Sequence, residues 1–335
     1  MTAVGAVAAL VLAVGALGCR EGGQSPPEVV LYTSVDQHIC EPVIAAFERA
    51  SGIRVLARFD SEASKTVGLV QRLRSEAARP VADVFWSGEV FYTVRLAEEG
   101  LLAPYESDET RAWPAALRDH QGRWYGFGLR VRVLVYNTKR VAEAEAPRCL
   151  EDLLDPKWRG RVVMATPEFG TTSGHVASWF VHYGAEPARR ILEGLKANAV
   201  RLVTGNATVV RMVGAGEADV GLTDTDDVYA GQRNGWPVAM TFLRHGQGGA
   251  LAIPNTVALI KGGPHGAEAR ALVAFLLSPE VERLLVESDS HNTPVHASVA
   301  AEFPAYTCPE CLPVDYGRVA EAMPEAIRAA VEILR

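Results

Sequence analysis

The feature that most constrains the fold is a strand–helix–strand pattern that begins the body of the chain and then continues. Residues 29–33 are apolar, residues 43–50 place apolar side chains at helical spacing, and residues 53–59 alternate like a strand. A helical pattern over 65–78 and an apolar segment over 81–86 extend the series. Strands joined by a helix pair in parallel with a right-handed crossover, so the sequence predicts an α/β fold with a parallel sheet.

A second series of the same kind starts after residue 160, with strand patterns at residues 161–165, 200–203 and 218–222. Two longer strand-like segments, near 130–137 and 251–260, precede and follow this series, and we expect them to join two α/β lobes. The length of the chain also favours two domains. The predicted first lobe is residues 29–128 plus 258–335, with the C-terminal helices packed on it, and the second is residues 129–257.

The first 28 residues differ in composition from the rest. Residues 3–17 form an apolar run that is shorter than the roughly 20 residues of a membrane-spanning helix, and a polar spacer follows. The run predicts an export signal, and Cys19 after a small residue is similar to the lipidation site of bacterial lipoproteins. Because Ala16 stands where leucine is usual, two outcomes stay open: a lipid anchor at Cys19, or plain secretion or anchoring. Either way we expect the body in the periplasm or on the outer face of the cytoplasmic membrane.

Charge and cysteine content narrow the function classes. The net charge of -7 supplies no basic surface for nucleic acid. Beyond Cys19 the chain has Cys40, Cys149, Cys308 and Cys311, an even number in an oxidising compartment. The Cys308 and Cys311 pair could be a redox motif or half of a zinc site, but no second pair completes a metal site, so a local disulfide is favoured. The other pairings stay open.

Three carboxylates follow the strand pattern at 218–222, namely Asp224, Asp226 and Asp227. Carboxylates this close repel one another unless a cation, an ammonium group or an arginine offsets their charge. The first interpretation is therefore a ligand site at this strand end. The alternative is that one or two of them cap the helix entering at Val228 while the others face water.

Hydroxyl and amide side chains are predicted on the same crevice. Loops after parallel strands face one crevice at the carboxyl edge of a sheet, which places Ser34 and Ser87 there. A helix start at residues 170–174 combines free N–H groups and a positive dipole end with three hydroxyls, Thr171, Thr172 and Ser173. Asn206 begins another helix. These residues predict an anion cradle, although a helix cap is the alternative role for Thr172, Ser173 and Asn206.

Several short segments share their order and spacing with a known family: Tyr32-Thr33-Ser34 with His38, and residues 80–86, 205–206, 216–221 and 276–282. They resemble the type II periplasmic solute-binding proteins of ABC importers, in the branch that contains ferric-iron-binding proteins. The resemblance extends from residue 29 to about residue 294. It implies two lobes on a two-strand hinge that close over a small solute, a monomeric protein, and a permease of the cytoplasmic membrane as partner.

The resemblance also suggests a metal set. His38 matches a metal-ligating histidine of some ferric-binding relatives, and with Asp224, Asp227 and Tyr229 it would hold Fe³⁺ as the transported ligand. Those relatives usually place adjacent tyrosines directly after the strand that matches residues 218–222, whereas this chain has threonines and aspartates there. The solute therefore stays open between ferric iron with an anion, a phosphate or phosphonate-type anion, and a zwitterion such as an aminoalkyl phosphonate. Apart from a transported metal, no cofactor is expected.

Two function classes other than transport are compatible with parts of the sequence. An acidic cluster can hold Mg²⁺ for phosphoryl chemistry, but the sequence has no Walker loop, no GxSxG elbow and no HExxH motif, so we expect no enzyme. A ligand-sensing receptor subunit would share the fold and remains an alternative.

Overall fold

The computed structural model describes residues 26–60, 66–246, 248–308 and 310–335. The predicted export segment and Cys19 lie outside the described residues. Within them, no helix is both long enough and apolar enough to cross a membrane.

The described residues form ten strands: β1 (Glu28–Thr33), β2 (Arg54–Phe59), β3 (Val84–Ser87), β4 (Leu102–Ala103), β5 (Tyr125–Asn137), β6 (Val162–Ala165), β7 (Arg201–Val203), β8 (Val220–Asp224), β9 (Val238–Phe242) and β10 (Ala252–Ile260). They also form twelve α-helices: α1 (Gln37–Ser51), α2 (Val67–Ser75), α3 (Phe91–Glu98), α4 (Asp108–Arg111), α5 (Gly170–His182), α6 (Ala185–Ala197), α7 (Asn206–Gly214), α8 (Thr225–Arg233), α9 (Gly266–Leu276), α10 (Pro279–Glu287), α11 (Ala297–Glu302) and α12 (Tyr316–Leu334).

The first lobe is built on a sheet with the order β2-β1-β3-β10-β5. Strand β1 pairs in parallel with both β2 and β3, so the predicted strand–helix–strand unit is confirmed. Strand β10 runs antiparallel to β3 and to β5. The carboxyl ends of β1 and β3 therefore open on the same edge, as the sequence predicted for the loops after them.

The second lobe continues from the same strand. Strands β8, β6 and β7 are parallel to one another, and β5 is antiparallel to β8 and β9. The first half of β5 pairs with β10 and the second half with β8 and β9, so one strand belongs to both sheets. Together β5 and β10 make the expected two-strand hinge between two lobes.

Strand β5 starts five residues earlier than the predicted segment. Gly126 and Gly128 interrupt its alternation of side chains, and glycine within a strand weakens the pattern by which strands are recognised. In β10, Pro254 has no N–H to donate, and the pairing with β5 shifts register between Pro254 and Asn255. The hinge thus has an irregular ladder at its centre.

Helix α1 begins at Gln37, earlier than the helical pattern suggested. The carbonyl of Asp36 accepts hydrogen bonds from the backbone N–H groups of Ile39 and Cys40, which close the first turn. Pro42 consequently lies in the second turn of the helix. This start places His38 within the helix.

The sequence predicts that all C-terminal helices pack on the first lobe, but one of them does not pack there alone. Helix α9 packs against β1, β3 and β10, and α10 packs against α1. Helix α12 instead lies against α5 and α6 as well as against α3. Its buried face is rich in alanine, including Ala320, Ala326, Ala329 and Ala330, and small side chains allow three helices to approach it. Helix α12 therefore bridges the two lobes.

The predicted local disulfide between Cys308 and Cys311 is present. The backbone N–H of Leu312, next to the disulfide, donates to the Ala250 carbonyl at 2.8 Å, so this loop is attached to the residues just before β10. Cys40, which is buried, and Cys149, which is partly exposed, are free thiols.

Candidate functional site

A cavity of about 130 Å³ lies between the lobes, beside the hinge. The first lobe contributes Ser34, Asp36, Thr66, Gly88 and Glu89 to its wall. Strand β5 contributes Arg130. The second lobe contributes the first turns of α5, α7 and α8, including Thr171, Thr172, Asn206, Asp226 and Asp227.

Asp224, the last residue of β8, is anchored and does not line the cavity. It is the cross-strand neighbour of Arg132, whose Nη1 lies 2.7 Å from Asp224 Oδ1. The hydroxyl of Thr171 and the amide of Asn206 donate to Oδ2 at 2.6 and 2.9 Å. Burial alone would raise the pKa of Asp224, but Arg132 and Arg130 outweigh it and hold that pKa below its ordinary value. Asp224 is therefore an ionised structural anion with its own counter-charge.

Asp226 is paired with a second arginine of the same strand. Nη1 of Arg130 lies 3.2 Å from Asp226 Oδ2 and 4.0 Å from Asp224 Oδ2. Nη2 of Arg130 donates to the carbonyl of Gly88 in the first lobe. Burial lowers the pKa of Arg130, but the negative charges of Asp226, Asp224 and Asp227 raise that pKa by more than burial lowers it. This guanidinium therefore stays charged. Arg130 thus touches both lobes at the cavity.

Burial raises the pKa of Asp226, with a lowering contribution from Arg130 and raising ones from Asp224 and Asp36. Its second oxygen, Oδ1, is buried and has no hydrogen-bond partner among the described residues. Asp227 accepts a hydrogen bond of 3.2 Å from Thr223. One oxygen from each of Asp224, Asp226 and Asp227 falls within 4.8 Å of the others. The acidic end of the cavity is therefore formed by Asp226 and Asp227, with Asp224 behind them.

Two other helix starts of the second lobe also line the cavity. Phe169 and Gly205 occupy the residues just before α5 and α7, and neither helix has a side-chain cap. The Thr172 hydroxyl contacts Asn206 Oδ1 at 3.4 Å, and both residues face the cavity. Uncapped first turns leave N–H groups and positive dipole ends for a bound anion. Ser173 is turned away, because its hydroxyl donates to the Gly170 carbonyl at 2.7 Å.

The first lobe closes the cavity with hydroxyls and one carboxyl. Ser34 Oγ accepts from the Gly88 N–H at 3.0 Å and from the Thr66 hydroxyl at 3.2 Å. Ser87 is buried beneath this wall, between Ser34 at 3.4 Å and Glu89 at 3.3 Å. Burial raises the pKa of Glu89 to about 7, against the lowering effect of hydrogen bonds from backbone N–H groups. The charge of this carboxyl therefore changes near neutral pH.

Two predicted metal ligands lie elsewhere in the described structure. His38 is exposed on α1 and is not part of the cavity wall. Tyr229 is one turn along α8, and its ring packs against His291 and Tyr306, not against the cavity. The acidic residues, Thr171, Thr172, Asn206 and Ser34 are brought together, whereas these two are not.

Arg130 and Arg132 are not among the predicted site residues. In the sequence they are the polar members of an alternating strand, although two arginines two residues apart in an otherwise apolar segment are an available signal. Thr66 and Glu89 of the first lobe were also outside the predicted set.

Comparisons with known proteins agree with this architecture. Residues 79–317 match the family model described as bacterial extracellular solute-binding protein. Iron uptake protein A1 of Synechocystis sp. is 29% identical over 313 residues, covering 87% of this chain and 85% of that protein. The putative 2-aminoethylphosphonate-binding periplasmic protein of Salmonella typhimurium is 29% identical over 258 residues, covering 76% and 73%.

The solved structure of iron-bound HitA from Pseudomonas aeruginosa superimposes with a TM-score of 0.80 and 29% identity, covering 91% of this chain and 99% of that one. The resemblance drawn from the sequence is thereby confirmed, and it is this kinship that argues against an enzyme. With the family model matched across most of the body and the fold shared, the chain belongs to the bacterial extracellular solute-binding proteins.

Proposed function

We propose that this protein delivers a small zwitterion, with an oxyanion at one end and an ammonium group at the other, to an ABC importer. The observation that carries the proposal is that two groups of opposite character line one small cavity. Uncapped helix starts with Thr172 and Asn206 form one group, and the carboxylates of Asp226 and Asp227 form the other.

The anionic end of the solute would lie on the first turns of α5 and α7. Backbone N–H groups, helix dipoles and the Thr172 hydroxyl supply donors there, and phosphate or phosphonate oxygens accept such bonds. Thr66 and Ser34 of the first lobe add hydroxyls on the facing wall. A cavity of about 130 Å³ admits a solute of only a few non-hydrogen atoms and is well below the size of a drug-sized pocket.

The cationic end would lie on Asp226. Arg130 offsets one oxygen of this carboxylate, while the buried Oδ1 has no partner among the described residues. A buried acceptor of this kind is costly unless a donor reaches it, and an ammonium group supplies charge-assisted hydrogen bonds. The kinship with a protein named for 2-aminoethylphosphonate supports the same class of solute.

Ferric iron with a bound anion is the second candidate. It is favoured by the 4.8 Å cluster of carboxylate oxygens and by relatives named for iron. Against it, Arg130 and Arg132 offset the charges of Asp226 and Asp224, which leaves the cluster the net charge of one carboxylate to balance a bound cation. One carboxylate can balance an ammonium group but not a trivalent ion. Tyr229, the nearest phenol in sequence, packs outside the cavity. The donor set therefore suits an ammonium group better than Fe³⁺.

Calorimetry on native protein tests the choice, with 2-aminoethylphosphonate, ethylphosphonate and ferric citrate as ligands. We expect the zwitterion to bind most tightly. Asp226→Asn should weaken the zwitterion more than tenfold, or about 1.4 kcal/mol, and leave ethylphosphonate unaffected or tighter. Thr172→Val should weaken both phosphonates. Ser173→Ala is the matched control, because its hydroxyl is turned away from the cavity.

The proposal would be contradicted if the purified protein contains iron and binds neither phosphonate. The monomeric state, the permease and the lipid at Cys19 belong to the same proposal. Size-exclusion chromatography, crosslinking in membranes, and intact-mass measurement of the exported protein would test them in turn.

A further inference from the structure

Helix α8 does two different things along its length. Its first turn presents Asp226 and Asp227 to the cavity. One and two turns later, Tyr229 and Arg233 leave the cavity and contact the segment 289–306. The same short helix therefore connects the candidate ligand site with a second contact surface.

The contacts on that surface are aromatic and ionic. The Tyr229 ring meets His291 edge-on, with ring centres 5.1 Å apart, and meets Tyr306 edge-on at 5.5 Å. His291 and Tyr306 stack on each other at 4.4 Å with nearly parallel planes. Arg233 forms an ion pair with Asp289. Edge-to-face arrangements of this kind are favourable beyond the area they bury.

The two sides of the contact belong to different lobes. Helix α8 packs on α7, β8 and β9 of the second sheet. The segment 289–306 follows α10, which packs on α1, and Thr293 exchanges backbone hydrogen bonds of 2.7 and 2.8 Å with Leu129. The His291 ring bonds the Val286 carbonyl of α10 at 2.8 Å. The aromatic and ionic contacts therefore cross from one lobe to the other.

The segment also touches the ligand site from behind. Ser290 and Asn292 are buried and line a chamber of about 20 Å³ together with Arg130 and Asp226. Asp289 and His291 contact α8, whereas Ser290 and Asn292 lie on the side of Arg130. His291 holds a φ of +43°, which a residue other than glycine rarely adopts, and its ring stacks on Tyr306.

We propose that Tyr229 and Arg233, with Asp289, His291 and Tyr306, form an interlobe latch that positions the solute-binding turn of α8. The latch joins the two lobes in the arrangement seen here. Its contacts favour this arrangement, and a solute that binds only this arrangement gains affinity from them. Tyr229 and Arg233 are positioning residues, because neither reaches the cavity. The link to solute affinity rests on the proposed function, whereas the latch itself does not.

The test compares Tyr229→Ala with Tyr229→Phe, which keeps the ring and its packing. Small-angle scattering gives the radius of gyration of unliganded protein, and calorimetry gives the affinity for 2-aminoethylphosphonate. If the unliganded lobes are mostly closed, Tyr229→Ala should raise the radius of gyration. If they are mostly open, it should weaken binding roughly three- to tenfold. Tyr229→Phe should match the parent in both measurements.

A surface pair gives a second route if Tyr229→Ala fails to fold. Arg233 and Asp289 are about half exposed, so their charges can be exchanged without burying an unpaired group. Arg233→Asp should act like Tyr229→Ala, and adding Asp289→Arg should restore the parent values. A folded Tyr229→Ala with unchanged radius and affinity, or no rescue by the charge exchange, would overturn the latch. If no variant or parent binds the phosphonate, the proposed function fails, while scattering of Arg233→Asp and the exchanged pair still decides the latch.

Discussion

The ion pair behind the cavity makes a quantitative prediction. Arg132 and Asp224 are 0% and 1% exposed and meet at 2.7 Å. Arg132→Met removes the main counter-charge and leaves a buried carboxylate, which costs about 3–5 kcal/mol in comparable buried pairs. Thr171 and Asn206 still donate to Asp224, so we expect the lower end, a loss of about 3 kcal/mol in the free energy of unfolding. Urea unfolding followed by tryptophan fluorescence at pH 8 measures it.

The matched control removes both charges. Asp224→Asn keeps the shape of the side chain and an oxygen that accepts from Thr171 and Asn206. The double variant Arg132→Met with Asp224→Asn should therefore recover about 1.5 kcal/mol or more of the loss, because no buried charge is left unpaired. A double variant no more stable than Arg132→Met alone would refute this reasoning. In that case packing of the Arg132 side chain, and not its charge, would explain the loss.

The same pair predicts a pH dependence whose sign follows from the pKa. In the parent the pKa of Asp224 is lowered, so its stabilisation is present above the unfolded value near 3.9 and is lost as the pH falls through the folded value. Without Arg132, burial raises that pKa, and the folded state then binds the proton more readily than the unfolded chain. The deficit of Arg132→Met should accordingly be smaller at pH 4.5 than at pH 8. An equal deficit at both pH values would contradict the assignment of the loss to Asp224.

Two further predictions concern the cavity wall and the contact between lobes. Because the pKa of Glu89 is about 7, the parent should lose affinity for 2-aminoethylphosphonate relative to Glu89→Gln as the pH rises from 6 to 8, by roughly tenfold. The titration of the ligand cancels in the ratio of the two affinities, parent over Glu89→Gln. If calorimetry finds this ratio constant between pH 6 and 8, the charge of Glu89 has no effect on binding. Gly174→Ala would place a methyl group 2.0 Å from the Phe91 ring, and should cost about 2 kcal/mol. Its melting temperature should fall by several degrees, whereas Gly266→Ala, with open space around it, should melt like the parent.

Much of the fold follows from local pattern. The parallel strands β1, β2 and β3 were predicted because apolar strands and amphipathic helices alternate with short connections, and such a pattern admits few topologies. The two hinge strands were predicted from their position before and after the second series. The extra residues at the start of β5 were not, because Gly126 and Gly128 remove the side chains on which the alternation depends.

The sequence predicted those site residues that are close together in the chain, at the end of a strand or at the start of a helix. Asp226 and Asp227 follow shortly after β8, and Thr171 and Thr172 mark a helix start, so both groups of cavity residues were visible in the sequence. The role of Asp224 was not, because it depends on a partner 92 residues away in the chain. The opposite charges of Arg132 and Asp224 become neighbours only through the register of β5 and β8.

The two arginines of β5 differ in what they would report. Arg132 and its partner Asp224 belong to one sheet, so they travel as a single rigid body when the lobes swing. Arg130 lies on the hinge itself. It donates one hydrogen bond to Gly88 in the first lobe and forms one ion pair with Asp226 in the second. Any rotation about the hinge must stretch one of these two contacts while leaving Arg132 undisturbed. Although the two arginines are only two positions apart on the same strand, the contacts of Arg132 are independent of the angle between the lobes, whereas those of Arg130 depend on it.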